Sequence, residues 1–245
     1  MIGAVRFELP IVDSTNKHAA ELVRLTEVQH GTVILAHVQT EGRGQRGHVW
    51  QSEPGQDLTF SVVLRPEHFA AGDQFLIAQS AALAVWDVVA GNRMAEVRVK
   101  WPNDVLAGIH KVAGILITNE VMGGQLRSSI VGIGLNVNSS GHVPGAMATS
   151  LRVELGRHLD RMVIYEELLN HFEYRWQQAL LAPDTLRADY LERLWGRGRW
   201  LPMELDGAAI QARPMEVDRE GRLVVELTGG RVQAFGLDRL RFGPR

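Results

Sequence analysis

The sequence predicts an α+β protein: a mixed, largely antiparallel sheet with helices packed on it, followed by a small β-barrel. Three observations carry that prediction. Short β-branched runs, Thr32–Val38 and Leu58–Leu64 among them, are joined by turns instead of crossover helices. Long apolar segments with helical spacing sit between them. After "WGRGRW" the texture changes to short alternating runs separated by Asp-Gly, Glu-Gly and Gly-Gly.

Taken in order, Asp13-Ser14-Thr15 offers side chains for a helix N-cap, and Ala19, Leu22, Val23 and Leu25 recur at helical spacing until Gly31. Thr32–Val38 and Leu58–Leu64 read as strands. Residues 74–90, "QFLIAQSAALAVWDVVA", form a largely apolar helix between Gly72 and Gly91, expected to pack on the sheet. Further strands are expected near 97–101, 112–119 and 129–138, rich in Val and Ile. "NSSGHVPGAMATS" (138–150) reads as a loop, and 162–180 and 184–195 as helices. From Arg199 to Phe242 the alternating runs make the small barrel, with a boundary near Gly196, so that residues 1–195 and 196–245 are expected to be two domains.

Composition narrows the function classes. At 245 residues the chain has ample length for a core, and 45% apolar with 22% charged residues is ordinary for a water-soluble globular protein. A net charge of −2 gives no bulk field toward nucleic acid or an anionic membrane, so neither is expected as a partner. No run of about 18 uncharged apolar residues is present, and Arg6 and Glu8 interrupt what would be a signal segment. The absence of cysteine excludes disulfides and thiolate metal sites and fits a cytoplasmic protein. The nine histidines have no pair at metal-ligand spacing. Of 26 basic residues only Lys17, Lys100 and Lys111 are lysine, so each is a candidate for a place that needs a compact ammonium.

"GRGQRG" (42–47) matches the dinucleotide fingerprint G-x-G-x-x-G letter for letter, but the context excludes that reading. No helix follows it: Pro54-Gly55 marks a turn and Leu58–Leu64 another strand, so no helix N-terminus is available for a pyrophosphate. What remains is a glycine loop with Arg43 and Arg46, forked donors that can wrap an anion.

Four polar clusters lie at the edges of apolar strands: "DSTN" (13–16), "QTEGRGQRGHVW" (39–50), "KWPNDV" (100–105) and "KVAGIL" (111–116), followed by "GIGLNVN" (132–138). Each has a modest structural explanation alone. Ser14 and Thr15 read as a helix cap, Asn103-Asp104 as a turn, and Gly132 and Gly134 as close packing in a strand. Together they describe a nucleoside triphosphate site that is not a P-loop. Arg43, Arg46, Lys100 and Lys111 supply cations, and Asp104 with Asn103 supplies the hard oxygens magnesium prefers.

In this order and spacing "STN", "QTEGRGQRGHVW", "KWPND", "KVAGIL" and "GIGLNVN" resemble the signature of the biotin–protein ligases, the biotin–[acetyl-CoA-carboxylase] ligases. The resemblance runs from about residue 8 to residue 138 by motif and continues into the C-terminal segment, which is similar to the family's SH3-like barrel. It implies an enzyme that makes biotinyl-5′-AMP from biotin and ATP with Mg²⁺, then passes biotin to a lysine of a biotin carboxyl carrier protein. It implies that Ser14, Thr15 and Gln39 hydrogen-bond the ureido group, helped by the backbone at Arg43. Asn16, Gly44, Gln45 and Gly114 complete the biotin site by the same matching. Lys111 faces the biotin carboxylate and the α-phosphate, and with Arg43 carries catalysis. Trp50 packs on the adenine, while Arg46, Lys100, Asn103, Gly132, Gly134 and Asn136 border the nucleotide and Asp104 holds the metal.

Two departures from the family pattern are visible. The motifs begin close to Met1, which implies a short form without a DNA-binding helix-turn-helix. Gln45 and His48 stand where a fully basic loop would carry arginine, which implies weaker retention of the adenylate. A lipoate or octanoyl protein ligase is the alternative enzyme, against which Gln39 with "STN" favours a ureido head group; a non-catalytic biotin-binding regulator is the other. The sequence leaves the oligomeric state open, a homodimer included.

Overall fold

The computed structural model describes residues 1–141 and 147–243. Seven strands form in the first part of the chain: β1 (Arg6–Val12), β2 (Thr32–Gln39), β3 (Leu58–Leu64), β4 (Val97–Lys100), β5 (Asp104–Ala107), β6 (His110–Met122) and β7 (Gln125–Leu135). They make one sheet in the order β1-β2-β3-β7-β6-β5-β4. Only β1 and β2 run parallel; all other pairs are antiparallel, as the short turns between strands require. Among the described residues five α-helices accompany the strands: α1 (Thr15–Leu25), α2 (Phe75–Gly91), α3 (Leu151–Leu155), α4 (Arg161–Leu181) and α5 (Pro183–Glu192).

Two strands lie where the sequence pattern shows none. β1 is a sheet edge, mostly exposed, and its charges and Pro10 break the apolar alternation, as edge strands tend to do. β5 is four residues long and begins at Asp104, inside what reads as a turn. α3, a single short helix, is also new. The loop expected at 138–150 falls partly on 142–146, outside the described residues.

Alternation along the strands gives the sheet two unlike faces. On one, Leu58, Phe60, Val62, Val131, Ile133, Leu135 and Ile115 are buried with α2 and α4 in one continuous core. Phe60 meets Tyr165 of α4 edge to face, with ring centroids 5.4 Å apart. Residues Ala71–Gly91 are long and apolar enough to cross a bilayer by composition. In the fold they include α2, a core helix packed against α4, whose Arg175 pairs with Asp87 at 2.7 Å.

On the opposite face α1 covers only part of the sheet. Ala19, Val28, Ile34, Val63 and Ile130 form a small second core beneath it. Beyond the N-terminus of α1 the sheet is left bare, and the cleft lies there.

The C-terminal segment forms β8 (Leu201–Leu205), β9 (Ala208–Val217), β10 (Leu223–Leu227), β11 (Val232–Phe235) and β12 (Leu240–Phe242), paired antiparallel in the order β11-β10-β9-β8-β12. Asp206-Gly207 joins β8 to β9 with positive φ at both residues, 50° and 84°, the two-residue hairpin that Asp-Gly favours. Among the described residues no hydrogen-bonded pairing closes β11 onto β12, so this is an open antiparallel sheet. Its inward residues Met203, Ala212, Leu223, Val225 and Leu240 are continuous with the main core, and Trp101 donates from its indole to the Gly221 carbonyl at 2.8 Å.

Candidate active site

The floor of the cleft follows from register. Gly114 of β6, Gly134 of β7 and Thr59 of β3 lie in one cross-strand row; Leu116, Gly132, Ser61 and Ile34 form the next. Three glycines on the uncovered face leave the backbone open, and two side chains from elsewhere settle into the space. A Cβ on Gly132 would collide with the Asn16 amide, and one on Gly134 with the Trp50 indole. One on Gly114 would stand 2.9 Å from Trp50 and 3.0 Å from the Lys111 ammonium. The glycines thus admit the ligand-facing residues rather than loosen the strands.

One wall is neutral and polar. Ser14 occupies the N-cap position of α1, yet its side chain makes no cap hydrogen bond and lines the cleft, buried to 2% exposure. Thr15 donates its backbone N–H to Gln39 Oε1 at 2.8 Å, and its hydroxyl lies 3.2 Å from the same oxygen. Asn16 donates from Nδ2 to the Leu116 carbonyl at 2.9 Å. Ser61 Oγ stands 2.8 Å from Thr15 Oγ1 and 2.6 Å from Asn16 Oδ1. Ser61 is absent from the sequence motifs; the signal that could reveal it is the Thr59/Ser61 alternation within an otherwise apolar strand.

The glycine loop crosses this wall as a small hairpin. Trp50 donates its N–H to the Gly42 carbonyl at 2.9 Å, Gly44 donates to His48 at 2.7 Å, and Arg43 bridges Val49. Residues Gln45–Gly47 make one 3₁₀ turn, with Arg46 in the left-handed region at φ 54°. Arg43, Gly44 and Gln45 line the cleft. Arg46 does not: it is exposed at the tip of the turn.

Lys111 stands at the far end, its Nζ 5.4 Å from the centroid of the Trp50 ring and 2.6 Å from Asp104 Oδ1. Asn103 lines the cleft beside it and is held by a donation from Nδ2 to the Ile115 carbonyl at 2.8 Å. Asp104 itself sits behind Lys111. Its carboxylate answers an ammonium, and among the described residues no three His, Asp or Glu side chains gather as a cation cage. The expected triphosphate set is therefore only partly assembled here. Lys100 departs from it: its ammonium lies over the rings of Trp195 and Phe242, 5.8 and 5.3 Å from their centroids.

The cleft, about 440 Å³ counted with the solvent in its open mouth, meets at Trp50 and Lys111 a second cavity of about 980 Å³ counted the same way. Asn136 lines only the second, its amide donating to the Thr149 carbonyl at 2.9 Å. Two carboxylates absent from the sequence expectation organise that cavity. Glu53 accepts from the backbone N–H groups of Ser140 and Gly141 at 2.9 and 2.6 Å. Asp57 accepts from Val137 and Ser139 at 2.9 and 3.2 Å, and its burial pushes the carboxyl above its usual range, against the pull of those backbone donors.

The pattern of the biotin/lipoate A/B protein ligase family matches residues 8–136. The bifunctional ligase/repressor BirA of Bacillus spizizenii is 30% identical over 237 residues, covering 93% of this chain and 71% of that protein. The biotin–[acetyl-CoA-carboxylase] ligase of Mycobacterium tuberculosis is 35% identical over 204 residues, covering 81% and 74%. The biotin protein ligase of Aquifex aeolicus, solved in complex with biotin and ATP, superposes with a TM-score of 0.80 over 98% of this chain and 100% of that one. At 24% identity that last likeness is one of fold.

Proposed function

The chain belongs to the biotin/lipoate A/B protein ligase family, and from that premise we propose that it is an ATP-dependent biotin ligase acting on a biotin carboxyl carrier protein. In the first half-reaction a biotin carboxylate oxygen attacks the α-phosphorus of ATP. The new O–P bond forms as the bond from that phosphorus to the bridging oxygen breaks, giving biotinyl-5′-AMP and pyrophosphate. In the second, a carrier lysine amine attacks the acyl carbon, the C–O bond to AMP breaks, and the amine proton is released.

The observation that carries this reading is the meeting of a neutral polar wall and an ammonium at opposite ends of one cleft. A buried urea needs donors and acceptors together, and Ser14, Thr15, Asn16 and Gln39 offer both. At the other end Lys111 suits a carboxylate and an α-phosphate, whose charge grows in the transition state. Asp104, 2.6 Å from Lys111 Nζ, holds that ammonium in place. Arg43, with Gly44 and Gln45, closes over the ligand, and Gly114 leaves room for it. Trp50, Asn103, Gly134 and Asn136 border the nucleotide, for which the second cavity has space, whereas Gly132, its space filled by the Asn16 amide, falls at the head-group wall instead.

Arg46, exposed on its turn, suits the triphosphate once the loop closes. Lys100 is left out of this assignment because its ammonium is engaged by two aromatic rings. Magnesium would enter as the counter-ion of the triphosphate: Asp104 Oδ1 is engaged by Lys111, and among the described residues no three His, Asp or Glu side chains gather as a cation cage, so they do not form a protein-held magnesium site. We assign residues 1–195 to the catalytic domain and read 196–245 as the SH3-like barrel, whose five strands fit it in number and antiparallel pairing. A cytoplasmic location fits the use of ATP and an intracellular carrier.

Mass spectrometry of the purified protein with biotin, ATP and Mg²⁺ tests the reading. A 1:1 biotinyl-adenylate, with matching pyrophosphate release, is expected. Release with lipoate or octanoate but not biotin would overturn it.

A further inference from the structure

We propose that Ser61 is the positioning residue that sets the donor–acceptor polarity of the head-group wall and thereby its selectivity for a cyclic urea. This rests on the biotin reading above. Ser61 is fully buried on β3, outside the cleft lining, and touches no part of the Lys111 end. It nevertheless lies within hydrogen-bond distance of two wall residues at once.

The protons of this wall can be counted. Asn16 donates from Nδ2 to the Leu116 carbonyl, which turns its Oδ1 toward Ser61. That oxygen can only accept, so the single Ser61 proton goes to Asn16. Toward Thr15, 2.8 Å away, Ser61 then presents a lone pair. The Thr15 proton has two acceptors, Ser61 Oγ and Gln39 Oε1, and both lie inside the protein. Thr15 is left with a lone pair for the ligand. Gln39, whose Oε1 already accepts the Thr15 N–H, is left with its amide hydrogens.

The wall therefore shows an acceptor at Thr15 and a donor at Gln39. A cyclic urea presents the complement, N–H groups beside a carbonyl oxygen; a dithiolane or an alkyl tip presents neither. Gly132 makes the arrangement reachable. It lies between Ser61 and Leu116 in the cross-strand row, and the missing side chain lets the Asn16 amide descend to both. Without the Ser61 hydroxyl, Asn16 Oδ1 loses its donor and Thr15 loses its nearer acceptor, so that only the longer 3.2 Å contact to Gln39 Oε1 keeps the Thr15 proton from turning toward a urea N–H.

The test is steady-state pyrophosphate release by the full chain, varying biotin, ATP and octanoate separately, for wild type, Ser61→Ala and Ser61→Thr. Ser61→Ala is expected to raise the KM for biotin about tenfold. The KM for ATP and kcat should stay within about twofold, and the preference for biotin over octanoate should fall in step with the biotin KM. Ser61→Thr, which keeps the hydroxyl, is expected to restore most of the loss. An unchanged biotin KM in Ser61→Ala overturns the inference, as does a parallel loss in kcat and both KM values, which would mark a merely structural role. A wild type that releases no pyrophosphate with biotin overturns the functional reading and this inference together.

Discussion

The two faces of the seven-stranded sheet are built from the same strands by opposite means. On the face toward α2 and α4, β3 and β7 present Leu58, Phe60, Val62, Leu64, Val131, Ile133 and Leu135, and the side chains touch to exclude water. On the other face the same two strands carry Thr59, Ser61, Gly132 and Gly134. Here the sequence removes side chains instead of adding them, and Asn16 and Trp50 enter from neighbouring segments to occupy part of the space. Stability is concentrated on the first face and chemistry on the second, so substitutions one residue apart on a strand are expected to fail in different ways.

The largest effect belongs to the core face. Phe60→Ala removes a ring that is 1% exposed and packed edge-on to Tyr165, and should cost about 3–5 kcal/mol of stability. The expected result is a thermal midpoint lower by roughly 10 °C. A midpoint within a degree or two of wild type would show that this face is not where stability lies.

Lys111→Ala should act almost entirely on chemistry. Removing a charge-assisted contact that strengthens in the transition state costs about 3 kcal/mol, roughly a hundredfold in pyrophosphate release. The unfolding midpoint should move little, because Lys111 is partly exposed and its partner Asp104 regains water when the ammonium leaves. Near-normal release would remove Lys111 from the reaction.

The glycine floor should respond between these extremes. In Gly134→Ala the new methyl must push the Trp50 ring aside, an overpacking cost of about 1–3 kcal/mol. Indole fluorescence should shift and adenylate formation fall about tenfold. Gly72→Ala, where nothing lies within 4 Å of the added methyl, is the control and should leave both unchanged. Equal behaviour of the two variants would break the distinction between a floor glycine and an ordinary one.

What the sequence made legible follows the same division. Ser14–Asn16 and Gln39–Trp50 are consecutive residues, so local spacing already places their chemistry together. The strand–loop–strand context of "GRGQRG" was enough to exclude a dinucleotide fold. The hub Ser61 was not legible, because its partners are 45 and 46 residues away and meet it only through the register of β3 against β7 and the entry of α1. Lys100 and Lys111 read as equivalent beside "PND", but strand geometry parts them: Lys111 faces Trp50, and Lys100 faces the rings of Trp195, which is hydrogen-bonded to β4, and of Phe242, which the C-terminal sheet supplies. Asp104 reads as a free carboxylate until β5 pairs with β6 and brings it to Lys111.

The smallest effect tests the loop that spans the site face. Gln45 lines the cleft within the 3₁₀ turn, whereas Arg46, its neighbour, is exposed. A neutral amide at position 45 can donate a hydrogen bond to a phosphate but brings no charge. Exchanging a neutral for a charge-assisted donor is worth about 1 kcal/mol, a several-fold change if it appears in the off-rate. Gln45→Arg is therefore expected to slow the release of biotinyl-5′-AMP severalfold. Biotin affinity without ATP should stay constant, because the wall of Ser14, Thr15 and Gln39 is untouched. Stopped-flow release of the adenylate from both proteins gives the answer: equal off-rates would place position 45 beside the ligand without reaching its phosphate, and the guanidinium of Arg43 would then be the loop's charge on that group.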